Sequence, residues 1–224
     1  MINLNKIKVL TIQDISCVGQ CSLTVALPII SACGVECAIL PSAVLSTHTA
    51  GFSGYTVRDL SGAFREIFSH WNKEGIFFDA IYTGYLGSID QIDLILDYYK
   101  GLSEKPLLIV DPAMGDNGKL YPAFDIDYAN AMRKLCDAAD IILPNQTEFD
   151  YMYGVHASVP IAALDFDASH TSLVMTGYSQ SEGMTGVMVK TKDDIFYYSH
   201  EKLSEDRHGT GDIYSSTFVG CLMN

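Results

Sequence analysis

"KIKVLTIQDISCVGQCSLTVALPIISACGVECAILP", Lys6 to Pro41, decides the fold class. Its first part, "KIKVLTIQ" (Lys6–Gln13), is β-branched and apolar, the pattern of a buried strand. "GQCSLTVALPIISACG" (Gly19–Gly34) then places apolar residues at helical spacing and closes on a glycine, with Pro28 implying a kink or a late start. "VECAILP" (Val35–Pro41) is a second strand. Strand, helix and strand within so few residues form a βαβ unit, which needs a parallel sheet covered by helices.

The same alternation continues outward from this unit. "YTVRDLSGAFREIFSHWNKEG" (Tyr55–Gly75) reads as an amphipathic helix and "FFDAIYTGYLGS" (Phe77–Ser88) as a strand entering a glycine-containing loop. "SIDQIDLILDYYKG" is a helix with Ser88 or Asp90 available as its cap. "PLLIVDP" (Pro106–Pro112) is a buried strand, Asp127–Asp140 a helix, and Ile141–Asn145 and Ser172–Gly177 further strands. "GVMVKTKDDIFYYSH" (Gly186–His200) reads as a hairpin turning at Lys192–Asp194, which adds antiparallel strands. Neither an internal repeat nor a linker interrupts the chain, so the expectation is one domain over residues 1–224.

Bulk composition narrows the functional classes. The 224 residues are 48% hydrophobic and 18% charged, as expected of a folded chain with a sizeable core. A net charge of −13 argues against nucleic acid or an anionic membrane as partner. No apolar run reaches the length of a membrane helix and the N-terminus carries no signal-peptide pattern, so a cytoplasmic location is expected. Cys17/Cys21 and Cys33/Cys37 are spaced i, i+4, but no C-x-x-C or Cys/His knuckle accompanies them. Reduced core thiols are the expectation for these, Cys136 and Cys221.

Chemistry is expected at the carboxyl ends of the strands, where doubly wound sheets gather ligands. Asp14 and Ser16 follow the first predicted strand, Ser46–Tyr55 the second and "TGYLGS" the third. "DPAMGDNGKLY" (Asp111–Tyr121), "PNQTE" (Pro144–Glu148) and Thr176-Gly177 follow later ones. So much polar, glycine-rich punctuation at strand ends suits one ligand cleft. G-x-G-x-x-G, the P-loop and G-x-S-x-G are all missing, which argues against nicotinamide chemistry, P-loop phosphate binding and a hydrolase elbow.

"HGTGDIYSS" (His208–Ser216) offers another phosphate device. Backbone N–H groups of Gly209, Thr210 and Gly211 at a helix start would form an anion nest without a lysine. Asp212 would then stand where it can take a proton from an attacking hydroxyl. The rival reading is a glycine turn with an aspartate placed for the helix dipole. Phosphoryl transfer also needs a divalent cation, and Asp111, Asp116 and Glu148 are the strand-end carboxylates able to hold one, directly or through water.

"VDPAMGDNGKLY", "ILPNQTEFDY" and "HGTGD", in that order, resemble the ribokinase-like superfamily of small-molecule kinases, and most closely its pyridoxal/pyridoxamine kinase branch. The front half, from the first strand through the "S-x-H-T" loop, resembles that branch as well. The resemblance implies a three-layer α/β/α sandwich with a mostly parallel central sheet and a few antiparallel edge strands. It also implies ATP- and Mg2+-dependent phosphorylation of the 5′-hydroxymethyl group of pyridoxal, pyridoxamine or pyridoxine, and a homodimer.

By that resemblance Asp212 is the base and Gly209, Thr210 and Gly211 form the anion hole. Asp111 and Glu148 serve the metal, while Asp116, Tyr121, Asn145 and Thr176 lie near the nucleotide phosphates. Asp14, Ser46, His48, Thr49 and Tyr85 line the pyridine pocket. Many members carry serine where this chain has Asp14, and a carboxylate there favours a protonated ring or an ammonium group. Members also continue beyond the position of Asn224 with helices that wall the adenine pocket, which are expected to be missing here. Two alternatives stand beside this reading: a hydroxymethylpyrimidine kinase, whose members usually have cysteine in place of Asp212, and a non-catalytic ligand-binding relative.

Overall fold

The computed structural model describes residues 7–49, 51–154, 166–179, 181–204 and 209–224. They form an α/β fold of mostly parallel strands with antiparallel strands at the outer ends. The chain divides into two compact units, Met1–Leu108 with Arg207–Asn224, and Ile109–Asp206.

The first unit is built on β1 (Lys8–Ser16), a strand paired in parallel on both sides whose residues are buried nearly throughout, the polar Thr11, Gln13, Asp14 and Ser16 included. β2 (Glu36–Leu45) lies parallel to β1, from Lys8 opposite Glu36 to Ser16 opposite Leu45. β4 (Ala80–Thr83) lies parallel on the other side of β1, Val9 facing Ala80. β3 (Val57–Asp59) runs antiparallel along the outside of β2. The chain therefore steps from β1 to β2 in one direction and from β2 past β1 to β4 in the other. α1 (Leu23–Ala32) packs on β1 and β2, and α2 (Ser61–Glu74) packs on α3 (Ile89–Gly101). α6 (Thr210–Met223) packs beside α1. Phe68 of α2 stacks on Tyr98 of α3 with ring centres 4.0 Å apart, and Phe64, Tyr82, Ile92 and Ile95 are fully buried between helices and sheet.

Three sequence expectations change here. β1 extends to Ser16, so Asp14 and Ser16 lie within the strand; the register against β2 shifts between Gln13 and Ile15. That irregularity is a bulge, a device that re-aims side chains at the end of a strand. The first helix starts late, at Leu23, and keeps Pro28 inside it. The segment Tyr55–Gly75 is not helical throughout. Val57–Asp59 is drawn into the sheet by pairing with β2, and Asp59 ends the strand by accepting the Ser61 N–H at 2.9 Å. Local periodicity could not register this, because the gain comes from a partner strand distant in sequence.

The second unit starts from the end of β5 (Leu107–Val110), with Ile109 opposite Ile141 of β8 (Ile141–Ile142). β9 (Ser172–Thr176) is parallel to β8, whereas β10 (Met184–Lys190) and β11 (Ile195–Glu201) continue antiparallel. The hairpin turn at Thr191–Asp194 is where the sequence places it, closed by Thr191 N–H to Asp194 O at 2.9 Å. A small hairpin, β6 (Gly115–Asp116) and β7 (Lys119–Leu120), was not expected. Its turn is Asn117-Gly118 with φ of 52° and 77°, the left-handed pair that an Asn-Gly dipeptide accommodates best. That dipeptide was the available signal.

α4 (Ile126–Asp137) and α5 (Gln146–Tyr153) pack together in this unit. Asp125 caps α4 by accepting the Tyr128 N–H at 3.0 Å. Asp125→Ala should cost about 1 kcal/mol, read as a lower urea midpoint at unchanged slope.

Of the six cysteines, all with free thiols, only Cys136 is a buried core residue; Cys17 and Cys221 are exposed. The expectation of core thiols holds for one of them, because the others sit at strand and helix ends. Among the described residues no helix is long and apolar enough to cross a membrane.

Candidate active site

The first unit holds Asp212 in the opening turn of α6, immediately after the glycine-bracketed turn. Gly209 is the N-cap with φ 80°, and a Cβ on it would stand 2.9 Å from the Gln20 carbonyl. Glycine is required there twice over, for the left-handed backbone and for the close approach. The Ile213 N–H reaches Gly209 O at 3.0 Å, so the helix begins within the G-T-G segment and presents its positive end there.

The Asp212 carboxylate accepts the Ser22 N–H at 3.0 Å. Its pKa is pushed up from 3.8 to about 6: burial penalises the charged form, the Ser22 hydrogen bond opposes this, and the nearby Asp14 charge adds to it. Asp14 is 4% exposed and accepts the Ser16 hydroxyl at 3.0 Å. Burial raises its pKa too, against hydrogen bonds from Ser22 and Ser16. Tyr85 lies close enough for the Asp14 charge to add to the burial that lifts its phenol to about 12. Asp14, Tyr85 and Asp212 are therefore brought together from β1, the loop after β4 and α6. Cys21 joins them, although sequence reasoning gave it no role. Burial first, then Asp212 and Asp14, push its thiol up to about 11, which keeps it from acting as a thiolate.

The other pocket residues are placed differently. Ser46 uses both its groups to close its own loop, since its hydroxyl accepts the Thr56 N–H at 2.9 Å and its N–H reaches Thr56 O at 3.0 Å. His48 is held by its N–H to Val18 O at 3.1 Å and packs edge-on against Phe52 at 5.0 Å. Thr49 is half-buried in the same loop. His48 lines a cavity of about 470 Å³ together with Gln20, Cys21, Thr24, Val25, Pro28, Ile29 and Ile213. Of the five expected pocket residues only His48 is in its wall; Asp14, Ser46, Thr49 and Tyr85 are not. The loop is held by backbone pairing that a motif does not encode.

The second unit gathers the remaining residues. Glu148 is 3% exposed and accepts three backbone N–H groups, from Met114 at 3.0 Å, Gly115 at 3.5 Å and Asn145 at 2.9 Å. Asn145 returns the contact by accepting the Glu148 N–H at 3.0 Å, which completes a capping box for α5. The Asn145 amide also donates to Gly115 O at 2.8 Å. Burial, and then the Asp111 charge, hold the Glu148 carboxyl well above the usual carboxylate range. Asp111 accepts the Ala113 N–H at 3.3 Å, and Ala113 carries a left-handed φ of 39°. Thr176 bridges to Asn145 and donates its N–H to Pro144 O at 3.0 Å. Tyr121 donates its N–H to Met114 O at 2.9 Å, and Asp116 is exposed and folded onto the Asn117 N–H at 2.7 Å.

The donor set suits a hard divalent cation. Two carboxylates repel each other in a buried setting, and Mg2+ is commonly bound by one or two carboxylates with water completing its shell. Glu148 already accepts bonds at both of its oxygens, which suits contact through water. Asp116 turns both of its oxygens to Asn117 in its own turn.

A family model described as phosphomethylpyrimidine kinase matches residues 27–224. The chain belongs to that family. Pyridoxal kinase from Lactobacillus plantarum is 33% identical, the match covering 96% of this chain and 80% of that one, with a TM-score of 0.86. A candidate phosphomethylpyrimidine kinase from Bacteroides thetaiotaomicron, in a crystal form with pyridoxal, is also 33% identical. There the match covers 97% of this chain and 80% of the other, with a TM-score of 0.89. A candidate pyridoxal kinase of Schizosaccharomyces pombe is 29% identical over 169 residues, 65% of this chain and 46% of that protein. The chain thus spans about half the length of this curated relative. Its likeness to the pyridoxal kinases, expected from the three ordered motifs, is borne out.

Proposed function

We propose that this protein is an ATP- and Mg2+-dependent kinase that phosphorylates the 5′-hydroxymethyl group of pyridoxal, pyridoxamine or pyridoxine. The observation that carries the reading is the Asp212 carboxylate, half-buried in the first turn of a helix whose start is bracketed by glycines, with a pKa of about 6. A base of that strength is ionised at neutral pH yet retains affinity for a proton. Asp212 takes the hydroxyl proton, and the amides of Gly209, Thr210 and Gly211 hold the oxygens of the phosphoryl group in transfer. Asp14 and Tyr85 orient the ring, the carboxylate favouring a protonated nitrogen or an amine. Asp111 and Glu148 hold the Mg2+, which neutralises phosphate charge, and Tyr121, Asn145, Thr176 and Asp116 serve the nucleotide side. One kinase domain over residues 1–224, assembled as a cytoplasmic homodimer, belongs to the same proposal.

The name of the matched family favours a second substrate, hydroxymethylpyrimidine. A coupled ADP-release screen over pyridoxal, pyridoxamine, pyridoxine and hydroxymethylpyrimidine decides between them. The expected order has the three pyridines ahead and pyridoxamine among the good substrates; turnover of the pyrimidine alone overturns the assignment.

A further inference from the structure

Ser22 sits between the two carboxylates of the first unit. It is 6% exposed and occupies the N-cap of α1 with φ 53° and ψ −128°, a backbone state rare for a residue with a side chain. Serine is a favoured N-cap because its hydroxyl accepts an N–H of the first turn. This one makes no such bond. A bridge to Ile15 sets its side chain beside Asp14, whose pKa it lowers, while its N–H donates to the Asp212 carboxylate at 3.0 Å. Its carbonyl still accepts the Val25 and Ala26 N–H groups at 2.9 Å, and the bridge to Ile15 ties it to β1. A single residue thus touches β1, the start of α1 and the first turn of α6. Strain of this kind persists only where the surroundings over-determine it, and it gathers at functional sites.

We propose that Ser22 is a positioning residue which couples Asp14 to Asp212, its hydroxyl holding the first carboxylate and its amide the second. The coupling deepens the kinase reading and, for its effect on rate, rests on it. Asp14 acts on Asp212 through its charge, so whatever holds Asp14 ionised also helps set the base strength of Asp212. The other titratable groups acting on the pair are the Cys21 thiol and the Tyr85 phenol, with Tyr55 beyond Tyr85.

The test uses Ser22→Ala and Ser22→Gly in the full chain. Carboxyl 13C titrations of Asp14 and Asp212 without ligand are read beside the pH profile of kcat. In both variants Asp14 loses a donor and its midpoint rises. In Ser22→Ala, which keeps the amide, Asp212 then feels less negative charge and its midpoint falls. Ser22→Gly also releases the backbone, so it keeps or raises the melting temperature while kcat falls about tenfold or more. A purely structural serine predicts the same equal or better fold for glycine, but with rate and pH profile untouched. Unchanged Asp14 and Asp212 midpoints in both variants overturn the proposal, even if the wild-type protein phosphorylates pyridoxal. Shifted midpoints in a wild-type background that turns over none of the four alcohols support the coupling and overturn the kinase reading.

Discussion

Replacing Asp212 by asparagine is expected to lower kcat by about two to four orders of magnitude, with binding of pyridoxal changed only a few-fold. The amide keeps the size of the side chain and an oxygen for the Ser22 N–H, but it cannot accept the substrate proton. The same substitution should stabilise the fold at neutral pH. The pKa of Asp212 rises from 3.8 to about 6, so its ionised form is the one that folding penalises. Stability from this group is complete below pH 3.8, declines as pH climbs through about 6 and stays at the lower level above. Asparagine escapes that loss, a gain of about 2 to 3 kcal/mol at pH 8 that vanishes near pH 4. Denaturant midpoints at the two pH values check it. Wild-type kcat should rise with pH to a plateau above about 6, since the base must be ionised to act. An active Asp212→Asn would reduce the carboxylate to a helix-dipole ornament and sink the catalytic reading.

The second large effect belongs to Glu148. Its two oxygens accept the N–H groups of Met114, Gly115 and Asn145 in a site almost closed to water. Glu148→Ala strands those donors and should cost about 2 to 5 kcal/mol, measured as the urea midpoint. Glu148→Gln retains an acceptor oxygen for part of the set and should recover a fraction of the loss. Because the carboxyl is held above its usual range by burial and by Asp111, a divalent cation relieves it. Added Mg2+ should therefore raise the wild-type melting temperature and leave Glu148→Ala unmoved. Equal stabilisation of both proteins would remove Glu148 from the cation site.

Much of this was legible in the residues, for reasons that are local. Apolar runs of strand length, helical spacing closed by glycine, and the turn at Lys192–Asp194 are short-range statements about backbone preference and burial. The G-T-G-D turn is also local: glycine where φ is positive and a carboxylate in the first helical turn. Asp111, Asp116 and Glu148 were grouped by their places at strand ends, and the resemblance narrowed the set to Asp111 and Glu148. The structure adds its physical content, three backbone donors around one buried carboxylate and the Asp111 charge beside it.

What the sequence by itself determined is the alternating α/β plan, the strand ends where polar residues collect, and the turn that aims Asp212. Only the tertiary structure decided that Val57–Asp59 is a strand, that Asp14 lies inside β1 at a bulge, and that Ser46 spends its hydroxyl closing its own loop. It alone decided that the Ser22 N–H at the start of α1 reaches the Asp212 carboxylate. The reason is common to all four. Each depends on a partner brought near by folding, and the free energy of that contact outweighs a local preference of about 1 kcal/mol or less.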